Sequence, residues 1–217
     1  MKVIAGVDEV GTGSLAGPYI SVVAAFNEDG LSKLPNGVKD SKQTTFKQRE
    51  ILSDPIKNCA LCIGIGYAWP WEIDRYSPGV ALQLCYKRAL EELTIEIDEL
   101  IVDGINYIDC FDRAKQRVIV KADSLHKEVS AASIVAKNFR DKIMIEISNH
   151  RKHLKLPTYF WDNNKGYGTK EHQQQIEKYG LVVEITNGQQ DNLKYIHRLS
   201  YCKSFLKDTH LDFVKAV

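Results

Sequence analysis

The sequence has no apolar run that approaches the roughly 20 residues needed to cross a bilayer. Its 217 residues open on a strand-like segment, without the charged-then-apolar layout of a secretory leader. Both absences predict a protein with no membrane span, at home in the cytoplasm. Cysteine is sparse and scattered: Cys59, Cys62, Cys85, Cys110 and Cys202 are odd in number, which favours a reducing compartment. The single C-x-x-C, Cys59 to Cys62, has no second pair to complete a zinc site. It lies in an apolar run that reads as strand, so buried free thiols are expected there. Internal repeats and low-complexity tracts are missing as well, which excludes a solenoid.

Nor is there an excess of charge. A net charge of +1 points to no particular partner, but the distribution is uneven. Residues 1–150 hold 18 Lys and Arg against 21 Asp and Glu, net −3, and residues 151–217 hold 11 against 7, net +4. An acidic body with a basic tail suits a metal-using site beside a surface that meets phosphate.

What is present is a rhythm of short apolar runs and amphipathic helices. Residues 2–8 predict a first strand, and residues 19–26 a second, antiparallel to it across a short Gly/Pro segment. Residues 27–39 read as loop. A helix starts at Thr45, which has capping-box spacing to Gln48, and ends at Pro55. Residues 59–67 predict a third strand, residues 69–74 irregular chain, and residues 78–93 a helix. Residues 99–103 and 117–123 predict two further strands. Residues 127–148 predict the longest helix, with Ala132, Val135, Ala136, Phe139 and Ile143 as its buried stripe. Beyond residue 150 the rhythm weakens to a loop at 165–169, a short helix at 170–179 and another at 193–207. Strands interleaved with helices in this order predict an α/β domain, a mixed sheet flanked by helices.

Three of these strands end in acids: Asp8 with Glu9, Asp103, and Asp123. Each alone is an ordinary solvated strand end. In an open α/β sheet, however, the functional crevice lies beyond the strand ends. Carboxylates gathered there raise one another's pKa unless a cation joins them. Mg²⁺ prefers hard oxygen donors of this kind. Two ions about 3.5–4 Å apart could activate a water and stabilise the leaving oxygen of a phosphodiester. The spacing therefore points to metal-dependent phosphodiester hydrolysis.

Nine segments together resemble the successive motifs of the ribonuclease HII family. They are Asp8-Glu9, Gly11-x-Gly13, Leu15-Ala-Gly-Pro18, Asp40-Ser-Lys42, Val102-Asp-Gly104, Lys121-Ala-Asp123-Ser, Ser130 to Lys137, Arg140-Asp141 and Lys165-Gly-Tyr-Gly-Thr169. His197-Arg198-x-Ser200-Tyr201 is similar to the close of the bacterial members. The resemblance covers nearly the whole chain, in order. It implies an RNase H-like fold, with a catalytic core over residues 1–150 and a small C-terminal helical extension over 151–217 that contributes to nucleic-acid binding. It also implies an endonuclease cutting the RNA strand of RNA–DNA hybrids, including 5′ of single ribonucleotides embedded in duplex DNA. Asp8, Glu9, Asp103 and Asp123 would be the catalytic residues and the ligands of Mg²⁺ or Mn²⁺. Gly11, Gly13 and Tyr167 would read the 2′-OH, the group that distinguishes RNA from DNA locally. Lys42, Lys137, Lys165 and Arg198 would line the duplex backbone, as would Lys170 and His172. A monomer is expected, and no protein partner is legible.

Thr12 departs from the family pattern, which has arginine between the two glycines. The backbone can still read the ribose, but a cation that would meet phosphate is lost. Two other readings compete. The segment from Gly6 to Ser14 is also similar to the first phosphate loop of sugar kinases, although the second domain such kinases need to close over ATP is missing. A hybrid-binding module that does not cut would explain Thr12, but it would gain nothing from four acids.

Overall fold

A computed structural model describes residues 1–38, 44–185 and 193–205. In chain order its elements begin with β1 (Ile4–Val10), β2 (Tyr19–Phe26), α1 (Glu28–Lys33), α2 (Phe46–Cys59), β3 (Cys62–Ala68), α3 (Pro70–Tyr76), α4 (Pro78–Glu91), β4 (Glu99–Asp103) and β5 (Gln116–Ile119). They continue with α5 (Ala122–Leu125), α6 (Lys127–His153), α7 (Trp161–Asn164), α8 (Lys170–Tyr179), β6 (Val183–Ile185) and β7 (Leu193–Tyr195). Contacts divide the chain into two compact units. One comprises Met1–Val10, Ile20–Tyr67 and Leu82–Phe139, and the other Gly11–Tyr19, Ala68–Ala81 and Arg140–Val217. Among the described residues, no helix is long and apolar enough to cross a membrane.

The first unit is built on a five-stranded mixed sheet in the order β3-β2-β1-β4-β5. β1 runs antiparallel to β2 and parallel to β4, and β4 runs parallel to β5. Side chains alternate between the two faces. On one face Ala5 and Val7 of β1 pack with Val23, Ala25, Leu100 and Val102, beneath Tyr86 and Ala89 of α4. On the other, Ile4 and Ile101 meet Ala122 and Val129. Gly6 lets the start of α6 lie directly on β1: a Cβ there would sit 2.3 Å from the backbone carbon of Glu128. Burying both faces is why β2 is apolar or small, and buried, along its whole length.

Several boundaries differ from the sequence-based expectation, each for a local reason. β1 does not end at Asp8. Its antiparallel ladder continues through Asp8↔Val22 and Glu9↔Ser21 to Val10↔Ile20, because β2 offers partners that far. Residues 28–33, expected as loop, form α1, since Asn27 Oδ1 caps the Gly30 N–H at 2.8 Å. The Thr45–Gln48 capping box is present. Pro55 lies inside α2 instead of ending it, at the loss of one backbone donor. Cys59 therefore closes a helix while Cys62 opens β3, and these free thiols are only half-buried. Residues 70–76 are helical, started by Pro70 and by a Glu72 carboxylate that accepts the Trp69 N–H at 3.0 Å. β5 ends at Ile119. Lys121 then turns with φ 59°, so Asp123 sits in α5 and not on a strand.

The second unit packs around Trp161, Tyr159, Ile176, Leu181, Val182 and Cys202. Residues 193–195, expected in a helix, pair antiparallel with β6, from Val183↔Tyr195 to Ile185↔Leu193. The Asp74 carboxylate then accepts the N–H groups of Leu199 and Ser200 at 2.8 and 3.0 Å, fixing a turn there. The stripe of α6 also differs. Ala132, Val135 and Ala136 are buried, but Phe139 is 38% exposed. The helical period carries burial onward through Arg140 and Met144, a path that an arginine conceals in the sequence.

Candidate active site and nucleic-acid interface

Parallel pairing of β1, β4 and β5 brings their C-terminal ends to one edge of the sheet. The β1–β4 ladder matches Val7 with Val102, so Asp8 and Asp103 are the next residues on neighbouring strands. β5 reaches Ile119 opposite Asp103, and the turn after it delivers α5. There the Ala122 N–H donates to Asp103 Oδ1 at 2.7 Å, which ties Asp103 to the residue beside Asp123. Asp8 and Asp123 are 6% and 3% exposed. The end of the sheet thus brings Asp8, Glu9 and Asp103 close enough for their charges to interact, and Asp123 follows Ala122 on the turn bonded to Asp103.

The surroundings of these acids show what the cluster costs. Burial lifts the Glu9 carboxyl to about 7, with the charges of Asp8 and Asp103 adding to the shift. The Tyr86 hydroxyl opposes it by donating to Glu9 Oε2 at 2.7 Å. Burial also raises Asp8, helped by Asp103 and opposed by the Ser133 hydroxyl and the Lys137 ammonium. Lys137 Nζ in turn donates to Ser133 Oγ at 2.5 Å. Lys137 is therefore a counter-charge for Asp8. Tyr86 went unremarked in the sequence, and Ser133 counts there only within the motif at residues 130–137 and as a small residue, since a tyrosine and a serine on apolar helix faces read as packing.

Carboxylate oxygens suit a hard divalent cation, and buried like charges gain from one. Among the described residues no three His, Cys, Asp or Glu side chains are already gathered as a shell. Tyr86 holds one Glu9 oxygen and the Ala122 N–H holds one of Asp103. Mg²⁺ commonly binds one or two carboxylates, retained waters and substrate phosphate. The donors present fit that mode without a ready shell.

In the second unit two buried arginines shape the loop from Gly11 to Pro18. Arg198 Nη1 donates to Gly11 O at 2.7 Å, and Nε and Nη2 donate to Gly17 O at 3.0 and 2.7 Å. Arg140 donates to Pro18 O, Ser14 Oγ, Ala16 O and Lys165 O at 2.7–2.9 Å. Both are 0% exposed, and burial lowers the Arg198 pKa to about 10. Gly11 has φ 91°, and a Cβ there would lie 2.2 Å from Arg140 Nε. Only glycine fits so close to the clamp. The Arg140 guanidinium also lies 5.2 Å over the Tyr167 ring, which is 39% exposed. Leu15 and Ala16 N–H donate to Gly166 O at 2.9 and 3.2 Å. The arginines thus bring Gly11, Thr12, Gly13, Lys165 and Tyr167 into one loop pair.

This arrangement corrects two expectations. Arg198 is not placed to line a duplex, because its donors are spent on loop carbonyls inside the unit. His172 is likewise 0% exposed, packed against Trp161 and His197. Lys165 Nζ donates to the carbonyl of Asp162, and Lys170 is exposed at the start of α8. Lys42 lies outside the described residues. Arg140 stands in the sequence within the Arg140-Asp141 motif without a role of its own, and the structure makes it the loop clamp from the buried period of α6.

A mixed sheet in this order, with acids at the ends of its parallel strands, defines an RNase H-like α/β protein. The family model described as Ribonuclease HII matches residues 5–204. The ribonuclease HII of Wolbachia pipientis subsp. Culex pipiens (strain wPip) is 44% identical over 180 residues, covering 83% of this chain and 86% of that protein. The crystal structure of ribonuclease H2 from Pyrococcus horikoshii OT3 aligns with a TM-score of 0.68 and 26% identity, over 94% of this chain and 96% of that one. Bst-RNase HIII in complex with Mn²⁺ aligns with a TM-score of 0.69 at 20% identity, over 94% and 69% of the two chains, a likeness of fold alone. The chain belongs to the ribonuclease HII family, nucleases that cleave the RNA of RNA–DNA hybrids.

Proposed function

We propose that this nuclease hydrolyses the phosphodiester on the 5′ side of ribonucleotides, both in long hybrids and singly embedded in duplex DNA. The observation that carries the reading is the strand register that sets Asp8 and Asp103 side by side at the ends of parallel strands, with Glu9 next in the chain. Binding a polyanion gains nothing from such a cluster, whereas hydrolysing one with a divalent cation requires it. Asp8, Glu9, Asp103 and Asp123 would hold Mg²⁺ or Mn²⁺, ions whose preference for hard oxygen donors these carboxylates meet. When bound, the cation supplies Lewis-acid stabilisation of charge developing on the phosphodiester.

The chain's own residues prepare that chemistry. The Ser133 hydroxyl and the Lys137 ammonium favour the ionised form of Asp8 against its burial, and the Tyr86 hydroxyl favours that of Glu9. The Ala122 N–H orients Asp103. In the second unit Gly11 and Gly13 offer backbone to the 2′-OH, and Tyr167 presents its ring and hydroxyl to the ribose. Lys165 contributes positive charge for phosphate from residues 151–217, the expected binding extension. The cytoplasm is the proposed location, favoured by the free cysteines.

The test is incubation with Mg²⁺ and a DNA duplex bearing one labelled ribonucleotide. The expected product is a nick 5′ of that ribonucleotide. Binding without any nick would favour the hybrid-binding module instead.

A further inference from the structure

Trp161, His172 and His197 form a buried aromatic group in the second unit, and the hydrolysis described above uses none of them. Their partners dictate where every proton lies. The Val182 N–H donates to His197 Nδ1 at 2.8 Å. A ring nitrogen that accepts carries no proton, so His197 is protonated on Nε2. An indole N–H can only donate, and Trp161 Nε1 lies 3.1 Å from His172 Nε2. His172 Nε2 is therefore an acceptor, for Trp161 and for the His197 Nε2–H at 3.1 Å. The one proton of His172 is left on Nδ1, which donates to the Tyr167 carbonyl at 2.9 Å. A directed relay runs from Val182 through two imidazoles to the backbone of Tyr167.

We infer that His172, oriented by Trp161 and His197, is a positioning residue for Tyr167, holding its peptide so that the phenol is presented to ribose. The inference rests on the reading of Tyr167 as the residue that meets the ribonucleotide. The half-exposed ring of Tyr167 is then set from two sides, by Arg140 against its face and by the relay on its carbonyl. The Thr169 N–H shares that carbonyl at 2.8 Å, and Asn164 O accepts the Tyr167 N–H at 2.9 Å. The relay needs both imidazoles neutral, since a proton on either would set donor against donor. Burial drives both below the usual histidine range, and Arg151 pushes His197 the same way.

Two replacements separate positioning from packing. In His172→Gln the amide reaches the Nε2 position, so Trp161 and His197 keep a partner while the donor to Tyr167 is lost. In His172→Asn the amide nitrogen approximates Nδ1, so Tyr167 keeps its donor while the buried Trp161 and His197 lose their acceptor. His172→Gln is expected to melt near the wild type yet raise KM for the single-ribonucleotide duplex about five- to tenfold, the scale of one neutral hydrogen bond. His172→Asn is expected to melt lower with KM nearly unchanged. KM tracking the melting temperature in both variants, or unchanged in both, would overturn the inference. Tyr167→Ala is the control: an unchanged KM there overturns the ribose reading and the inference with it, whereas a raised one beside an unchanged His172→Gln overturns the inference alone. Nitrogen-15 spectra of the wild-type imidazoles give a check independent of folding in the variants. His172 protonated on Nδ1 and His197 on Nε2 is the expected pattern, and the opposite tautomers would dispose of the relay.

Discussion

At the scale of single residues, the Tyr86 hydroxyl on Glu9 is a small contact with a measurable consequence. It favours the ionised carboxylate, so Tyr86→Phe should raise the Glu9 pKa further. The pH midpoint for Mn²⁺ binding, followed by calorimetry, should then move upward by about half to one unit, the worth of one hydrogen bond. Thr12→Arg should tighten binding to a duplex with one ribonucleotide and steepen its salt dependence by about 0.9 in log–log slope, one added phosphate contact. An affinity unchanged across a salt series would remove Thr12 from the interface. The positions of Asp8 and Asp103 on their strands were legible because apolar runs deliver them, whereas Asp123, expected on a strand, lies in α5 beyond the turn at Lys121. The clamping roles of Arg140 and Arg198 were not legible. Their partners are mostly backbone carbonyls, which no residue type advertises, and a buried arginine looks in sequence like any surface cation.

Among the elements, the packing of α6 on β1 depends on Gly6. Gly6→Ala should cost about 1–3 kcal/mol through overpacking, read by urea denaturation, because the added Cβ meets helix backbone that cannot rotate aside. Arg198→Gln tests the correction made to its role. It should lower the stability of the second unit by about 1–3 kcal/mol, since Gly11 and Gly17 carbonyls lose buried donors, while the salt slope of duplex binding stays put. A slope that falls by about one would return Arg198 to the phosphate backbone. The helices with a capping box or a clear apolar period, α2, α4 and α8, and the strands β2 and β4 were readable from local pattern. β1 was misjudged because its two edges end at different residues: the ladder to β4 runs only to Val7, and the one to β2 reaches Val10. Such a mismatch exists only once three strands are aligned. β7 was missed for the same kind of reason, since its pairing with β6 is not a local pattern in the sequence.

For the whole molecule, two opposing titrations meet in one pH window. His172 and His197 are held below the ordinary histidine value; the unfolded chain binds their protons first, so their contribution to stability is lost as pH falls through about 6.5. Asp8 and Glu9 are raised, Glu9 to about 7. The folded state then binds more protons than the unfolded one, and stability falls as pH climbs from about 4.3 toward that value. Thermal melts without divalent cation should therefore be nearly flat over that range. With saturating Mg²⁺ the second effect is relieved, and melting temperature should rise with pH. Equal profiles with and without Mg²⁺ would mean that the cation does not meet these acids. The most direct test of the proposed site is Asp8→Asn, assayed with Mg²⁺ on the duplex with one labelled ribonucleotide and, in parallel, by a binding titration. Cutting should be abolished while affinity stays largely intact, and cleavage that persists in the variant would contradict the assignment of the carboxylate cluster.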